Sequence, residues 1–253
     1  MDTALARKVF GCIDNTTLNA TDNNASVEDF CRRTKLLTLN EDRTPNTVAA
    51  VCVYPRFVAC AHKMLEGSGI GVASVAGAFP HGQLPLPLKV DEVRYAVDEG
   101  ADEVDIVINR GLLLAGEYNA VRDEVAAMKD ACSGKTLKVI LETGELPSPA
   151  LIAKAAQLAI DGGADFIKTS TGKIATGATL EAAEIMLNVI NDNLKKTKNP
   201  VGFKAAGGIR KPEEALAYAE LATRILGKEY VNKQMFRIGA SSLTEAMHTL
   251  LTF

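Results

Sequence analysis

The feature that most constrains this chain is an alternation repeated eight times: a short run of β-branched and small apolar residues, then a longer segment with apolar residues at helical spacing. The runs are Val9 to Asp14 (VFGCID), Val48 to Pro55 (VAAVCVYP), Gly71 to Phe79 (GVASVAGAF), Asp102 to Asn109 (DEVDIVIN), Thr136 to Thr143 (TLKVILET), Asp165 to Ser170 (DFIKTS), Val201 to Ala206 (VGFKAA) and Phe236 to Ser241 (FRIGAS). The helical segments cover residues 27–39, 55–65, 88–98, 118–132, 149–159, 180–194, 212–226 and 243–251. Parallel neighbours cannot be joined by a tight hairpin; they need a crossover of about a dozen residues, which a helix supplies. Strand then helix, eight times over, predicts a parallel sheet with crossover helices.

Eight such units use up the 253 residues, close to the ~250 of a (β/α)8 barrel. The expected fold is therefore α/β: a single (β/α)8 barrel with a short N-terminal helical extension, residues 1–253 forming one domain. A doubly wound open sheet is the alternative, but it rarely needs eight units of this regularity. Boundary residues agree with the alternation. Pro55, Pro149 and Pro212 sit near helix starts, where the missing N–H costs nothing, and Glu99-Gly100 and Asp161-Gly162 close helices ahead of the next strand.

Charge narrows the partners. With 28 basic and 31 acidic side chains, a net charge of -3, the chain lacks the broad basic surface of a nucleic-acid binder. No run of about 18 uncharged apolar residues is present, so no membrane span is expected. The opening MDTALARKVFGCIDN has no apolar core of a secretory signal. Five cysteines, an odd number with no C-x-x-C pair, fit a reducing compartment, and three scattered histidines match no metal-binding pattern. No protein-ligated transition metal is expected.

Three familiar motifs fail on context. GSGIGVASV, from Gly67, resembles a dinucleotide loop, but its glycines follow a helix and lead into a strand, the reverse of the required order. Gly134-Lys135-Thr136 mimics the end of a P-loop, yet Lys129 stands where the first glycine belongs. GASSL, from Gly239, lacks the closing glycine of a nucleophile elbow.

In a barrel the active site lies at the C-terminal ends of the strands, so charged residues inside apolar runs are the ones to question. Asp105 lies in the fourth run between Val104 and Ile106; Lys168 follows Phe166-Ile167 in the sixth, Lys204 follows Gly202-Phe203 in the seventh, and Asp14 ends the first. A lone strand lysine usually lays its stem on apolar surface and reaches solvent. Two at matching places on neighbouring strands, ~4.8 Å apart, would enter one pocket and repel. Like charge and burial both disfavour the ammonium, and a neutral amine is a nucleophile toward carbonyl carbon. A buried Asp105 needs partners, and a lysine with a water offers them; a salt bridge without chemistry is the alternative reading.

The last three runs are followed by loops suited to phosphate. The sixth leads into STGK, with Thr171, Gly172 and Lys173; the seventh into AAGGIRKPEEA, with Gly207, Gly208 and Arg210; the eighth contributes Gly239, Ser241 and Ser242 ahead of a helix. Exposed backbone N–H groups and helix N-termini in such loops are where barrels hold phosphate, so a phosphorylated ligand is expected.

FIKTSTGK, GFKAAGGIR, ADEVDIVIN, IDNTTLN and IGASS, together with VCVYPRF and FPHG, resemble the deoxyribose-phosphate aldolase family in order from Asp14 to Ser242. The resemblance implies a cofactor-free (β/α)8 lyase, cytoplasmic and often a homodimer. Its substrate would be 2-deoxy-D-ribose 5-phosphate, cleaved reversibly to D-glyceraldehyde 3-phosphate and acetaldehyde in deoxyribonucleotide catabolism.

Residue by residue, the resemblance makes Lys168 the Schiff-base nucleophile, Lys204 the neighbour that depresses its pKa, and Asp105 the group that moves protons with a water. Asp14 and Thr16 would lie in the pocket. Gly172, Lys173, Gly207, Gly208, Gly239, Ser241 and Ser242 would hold the phosphate, with Thr171 and Arg210 also among the substrate-binding residues. Cys52 matches a pocket cysteine of some members, or is a buried thiol; Lys138 points to the pocket or to solvent. Two departures stand out: Ala205 replaces the family's usual proline, and the chain ends Leu-Thr-Phe253 where some members carry a tyrosine. Two other readings share these loops: another Schiff-base aldolase or transaldolase-like barrel, and a phosphosugar-binding barrel without turnover.

Overall fold

In the computed structural model, residues 2–41 and 44–252 are described; Phe253 lies outside them. Their strands are β1 (Ile13–Thr16), β2 (Leu39–Glu41), β3 (Thr44–Asn46), β4 (Ala50–Val53), β5 (Gly71–Ala76), β6 (Glu103–Val107), β7 (Thr136–Ile140), β8 (Phe166–Lys168), β9 (Gly202–Ala206) and β10 (Phe236–Ala240). Eight of these close into a parallel barrel in the order β1-β10-β9-β8-β7-β6-β5-β4, while β2 and β3 pair antiparallel on their own. Each of the eight sequence runs thus contributes residues to one barrel strand, and the closed sheet replaces the open-sheet alternative.

The helices are α1 (Thr3–Phe10), α2 (Asn24–Leu36), α3 (Val58–Leu65), α4 (Leu86–Asp98), α5 (Arg110–Leu114), α6 (Tyr118–Ala131), α7 (Pro149–Asp161), α8 (Leu180–Thr197), α9 (Pro212–Leu226) and α10 (Leu243–Thr252). Local chemistry sets their starts. Ser148 and Thr179 cap α7 and α8 with side-chain oxygens that accept from Leu151 N and Ala182 N, and Pro149 and Pro212 open α7 and α9. Pro55 instead opens a short 3-10 turn ahead of α3.

The first run differs from expectation. Val9 and Phe10 end α1 rather than beginning a strand, because with Ala6 they form its buried face at three- and four-residue spacing. The hairpin β2–β3 and the short α5 carry too little apolar periodicity to stand out in the sequence.

Two apolar environments result. Between strands and helices lies the large core, with Val104, Ile106, Leu137, Val139, Ile167, Phe203 and Ile238 on the outward strand faces. Inside the barrel a smaller cluster of Ala50, Cys52, Ala73 and Val75, with Leu18 above, lines the wall made by β4 and β5. Branched aliphatic side chains usually fill such an interior in layers. Here the opposite wall, from β6 round to β1, carries charges instead.

Candidate active site

Register brings those charges together. Parallel partners on neighbouring strands point the same way, and Lys168 pairs with Lys204, Lys204 with Arg237, and Asp105 with Lys138. Asp105 lies at the centre: its Oδ2 accepts from Lys168 Nζ and Lys204 Nζ, each at 2.7 Å, and its Oδ1 from Lys138 Nζ at 2.8 Å. Lys204 also donates to Asp14 Oδ2 at 2.5 Å. Behind them Arg237 forks onto Glu103, with Nη2–Oε1 2.6 Å and Nη1–Oε2 2.9 Å, and reaches Asp14 Oδ1 at 2.6 Å. Lys138 completes the cluster through Glu103 Oε2 at 2.5 Å and Asp14 Oδ2 at 3.6 Å. Gly239 makes room for it, since a Cβ there would meet Lys204 Cε at 3.0 Å.

The lysines are not equivalent. Burial would strip the proton from Lys138 and from Lys204, but the carboxylates outweigh it, Asp105, Glu103 and Asp14 for the first and Asp105 and Asp14 for the second, so both are raised. Lys168 has only Asp105; burial, reinforced by the Lys204 charge, holds its ammonium below the usual lysine value. Burial alone would neutralise Asp105, yet Lys138, Lys168 and Lys204 keep it ionised well below the carboxylate range. Asp14 is held low against the same penalty by Lys204, Arg237 and Lys138.

A cavity of about 640 Å3 opens over this cluster at the C-terminal ends of the strands. Lys168 lines it, with Thr16, Thr171, Gly172, Lys173, Gly207, Gly208, Arg210, Gly239, Ser241 and Ser242. Asp14, Cys52, Asp105, Lys138 and Lys204 do not; all are fully buried beneath it. Lys138 therefore points neither to the cavity nor to solvent. Cys52 sits in the apolar wall, and burial pushes its thiol up to about 11.

The loops approach one another closely. Gly207 adopts φ +89, and a Cβ at Gly177 would collide with its carbonyl oxygen. Lys173 Nζ donates to Leu18 O across the cavity rim. At the start of α9 the amides of Arg210 and Lys211 are already taken by Glu214 Oε2, at 2.8 and 3.0 Å. Gly207 and Gly208, both with positive φ, line the cavity just before them.

Three charged residues of the site stand outside the sequence reading. Glu103 shares the inward face with Asp105 two residues on, and Arg237 lies in an apolar run as Lys204 does; both signals were visible in the sequence. Glu142 carried a similar signal, near the end of the fifth run as Asp14 is at the end of the first. It sits buried just after β7 in the left-handed region, φ 55, and its carboxylate accepts from both Thr171 N, at 3.1 Å, and Thr171 Oγ1. Among the described residues no group of three or more His, Cys, Asp or Glu is placed to hold a metal ion.

Fold and site together define a barrel lyase of the aldolase class. The chain belongs to the DeoC/LacD aldolase family, whose model matches residues 9–246. It is 48% identical over 240 residues to a Mus musculus protein named deoxyribose-phosphate aldolase, covering 91% of this chain and 76% of that one. Its structure is similar to that of a Coccidioides immitis protein provisionally assigned the same activity, with TM-score 0.82 and 28% identity, covering 97% and 86% of the two chains. It is also similar to a tetrameric deoxyribose phosphate aldolase from Aeropyrum pernix, with TM-score 0.74 and 25% identity, covering 100% and 93%.

Proposed function

We propose that this aldolase cleaves 2-deoxy-D-ribose 5-phosphate reversibly to D-glyceraldehyde 3-phosphate and acetaldehyde through a Schiff base on Lys168, in deoxyribonucleotide catabolism. One observation carries the reading: of the four interior cations, only Lys168 both lines the cavity and has a single carboxylate partner. It is thus the amine most readily freed of its proton and the one a substrate can reach.

Neutral Lys168 attacks the C1 aldehyde of the open-chain sugar, and the carbinolamine loses water to give a protonated imine. Removal of the C3 hydroxyl proton then breaks the C2–C3 bond; the electron pair flows to C2 and into the imine, and the phosphorylated aldehyde leaves. Asp105, kept as a carboxylate, accepts that proton with a water as relay. The enamine is protonated at C2, and a second water hydrolyses the new imine to acetaldehyde and free Lys168. Thr171, Gly172, Lys173, Gly207, Gly208, Gly239, Ser241 and Ser242 hold the phosphate, with Arg210 at the edge. That remote grip orients C1 over Lys168. Asp14, Lys138 and Lys204 act from beneath, by fixing charge. Relatives of that name support this substrate.

The reading extends to one catalytic domain, cytoplasmic and homodimeric; the absence of a helix long and apolar enough to cross a membrane, among the described residues, is compatible with that location. Borohydride reduction in the presence of acetaldehyde tests the chemistry. The expected product is an ethyl group on Lys168, and Lys168→Ala should lose the adduct together with about 10^4-fold or more of the cleavage rate. An unmodified Lys168 would overturn the mechanism. Light scattering of the purified protein decides the dimer.

A further inference from the structure

Inside the barrel, Asp14, Glu103 and Asp105 meet Lys138, Lys168, Lys204 and Arg237. Three carboxylates against four cations leave one surplus positive charge when all are ionised. A buried net charge is costly, and losing one proton removes it. Partners decide which cation yields. Lys138 contacts three carboxylates, Lys204 two and Arg237 two; Lys168 contacts Asp105 alone.

We propose that Arg237 and Glu103, at the end of the barrel away from the cavity, are positioning residues that set the charge state of Lys168 through this count. Arg237 is the surplus cation that makes a neutral Lys168 the balanced state. Its guanidinium is fixed there by Glu103, by Asp14 and by Nε donating to Lys233 O. Glu103 neutralises Lys138 and Arg237 from behind, leaving Asp105 to divide itself among three lysines. Neither residue lines the cavity.

Lys168 Nζ is faced by Asp105 from β6, Lys204 from β9 and Cys52 from β4. Behind these stand Lys138 on β7, Asp14 on β1 and Arg237 on β10. The Cys52 thiol is neutral below about 11 and leaves the count unchanged.

The proposal rests on Lys168 as nucleophile for its catalytic consequence, but its titration can be read without substrate. Competitive acetylation of the free enzyme across pH, followed at Lys168 by peptide mass spectrometry, gives the midpoint. Arg237→Gln leaves three cations against three carboxylates, so Lys168 keeps its proton and the midpoint rises by about one pH unit. Glu103→Gln leaves four against two, and the midpoint falls. Glu103→Gln/Arg237→Gln leaves three against two, the original surplus, and should titrate within roughly 0.3 unit of the unaltered protein. Arg237→Lys keeps the charge and should do the same. The acid limb of the cleavage pH profile should follow each midpoint.

Unmoved midpoints in both single variants, or shifts of one sign in both, overturn the proposal. Should the singles fail to fold, a double variant displaced by about a unit or more overturns it. The predicted midpoints without an ethyl adduct on Lys168 would refute the Schiff-base reading and leave this count standing; an adduct with unmoved midpoints would refute the count alone.

Discussion

Lys138 and Lys168 stand on adjacent strands and donate to the two oxygens of one carboxylate, Asp105, at 2.8 and 2.7 Å. Their surroundings separate them. Lys138 lies in the sealed end of the barrel, where Glu103 and Asp14 add to Asp105 and hold its proton on. Lys168 lies at the open end, where burial, helped by the neighbouring Lys204 charge, outweighs its single carboxylate partner Asp105. The same side chain is structural at one end and reactive at the other, and the number of carboxylates within reach makes the difference. The open end also carries the cavity of about 640 Å3 that Lys168 lines, rimmed by glycine loops and Lys173.

Substituting one lysine from each end puts this contrast at risk. The larger effect on the fold is expected for Lys138→Met. It leaves Glu103 and Asp105 buried with fewer counter-charges, and loss of one partner from a buried cluster typically costs about 3–5 kcal/mol. Urea unfolding measures it; a change under about 1 kcal/mol would mean that the sealed end is not held by charge. Lys173→Met should instead leave stability within about 1 kcal/mol, because this side chain donates to one carbonyl at the cavity rim. Its expected cost is roughly a 10- to 100-fold rise in KM for the phosphorylated substrate, with a smaller change for an unphosphorylated analogue. Equal losses on both substrates would show that Lys173 does not read the phosphate.

The smallest effect belongs to the apolar wall. With its thiol pushed up to about 11, Cys52 is neutral at pH 7 and fully buried. Cys52→Ala should therefore keep turnover within about twofold. Iodoacetamide at neutral pH should label Cys60, which is partly exposed, ahead of Cys52. A faster reaction at Cys52 would show that the cavity reaches deeper than its lining suggests.

Much of the site was legible because charges in apolar strands violate a local rule that globular sequences otherwise keep. Lys168, Lys204 and Asp105 each interrupt a β-branched or aromatic run, and all three meet within hydrogen-bonding distance. The same anomaly marks Arg237 and, two residues before Asp105, Glu103. Lys138 was ambiguous because a strand alternates between two faces, and the sequence does not say which face a closed barrel turns inward. Glu142, near the end of the fifth run, showed the same anomaly, but its pairing with Thr171 depends on a left-handed residue between strand and 3-10 turn, a conformation that a glutamate does not announce.

By itself the sequence determined the eight strand–helix units, the strand positions of the charges and the glycines of the phosphate-type loops, since periodicity and turn chemistry act over a few neighbouring residues. Closure of the barrel decided the rest. It set β1 beside β10 and so brought Asp14 to Lys204, 190 residues away in the chain, and Glu103 to Arg237, 134 residues away. Which lysine loses its proton follows from distances and burial summed over six strands, and pairing energies of that kind exist only once the strands have met.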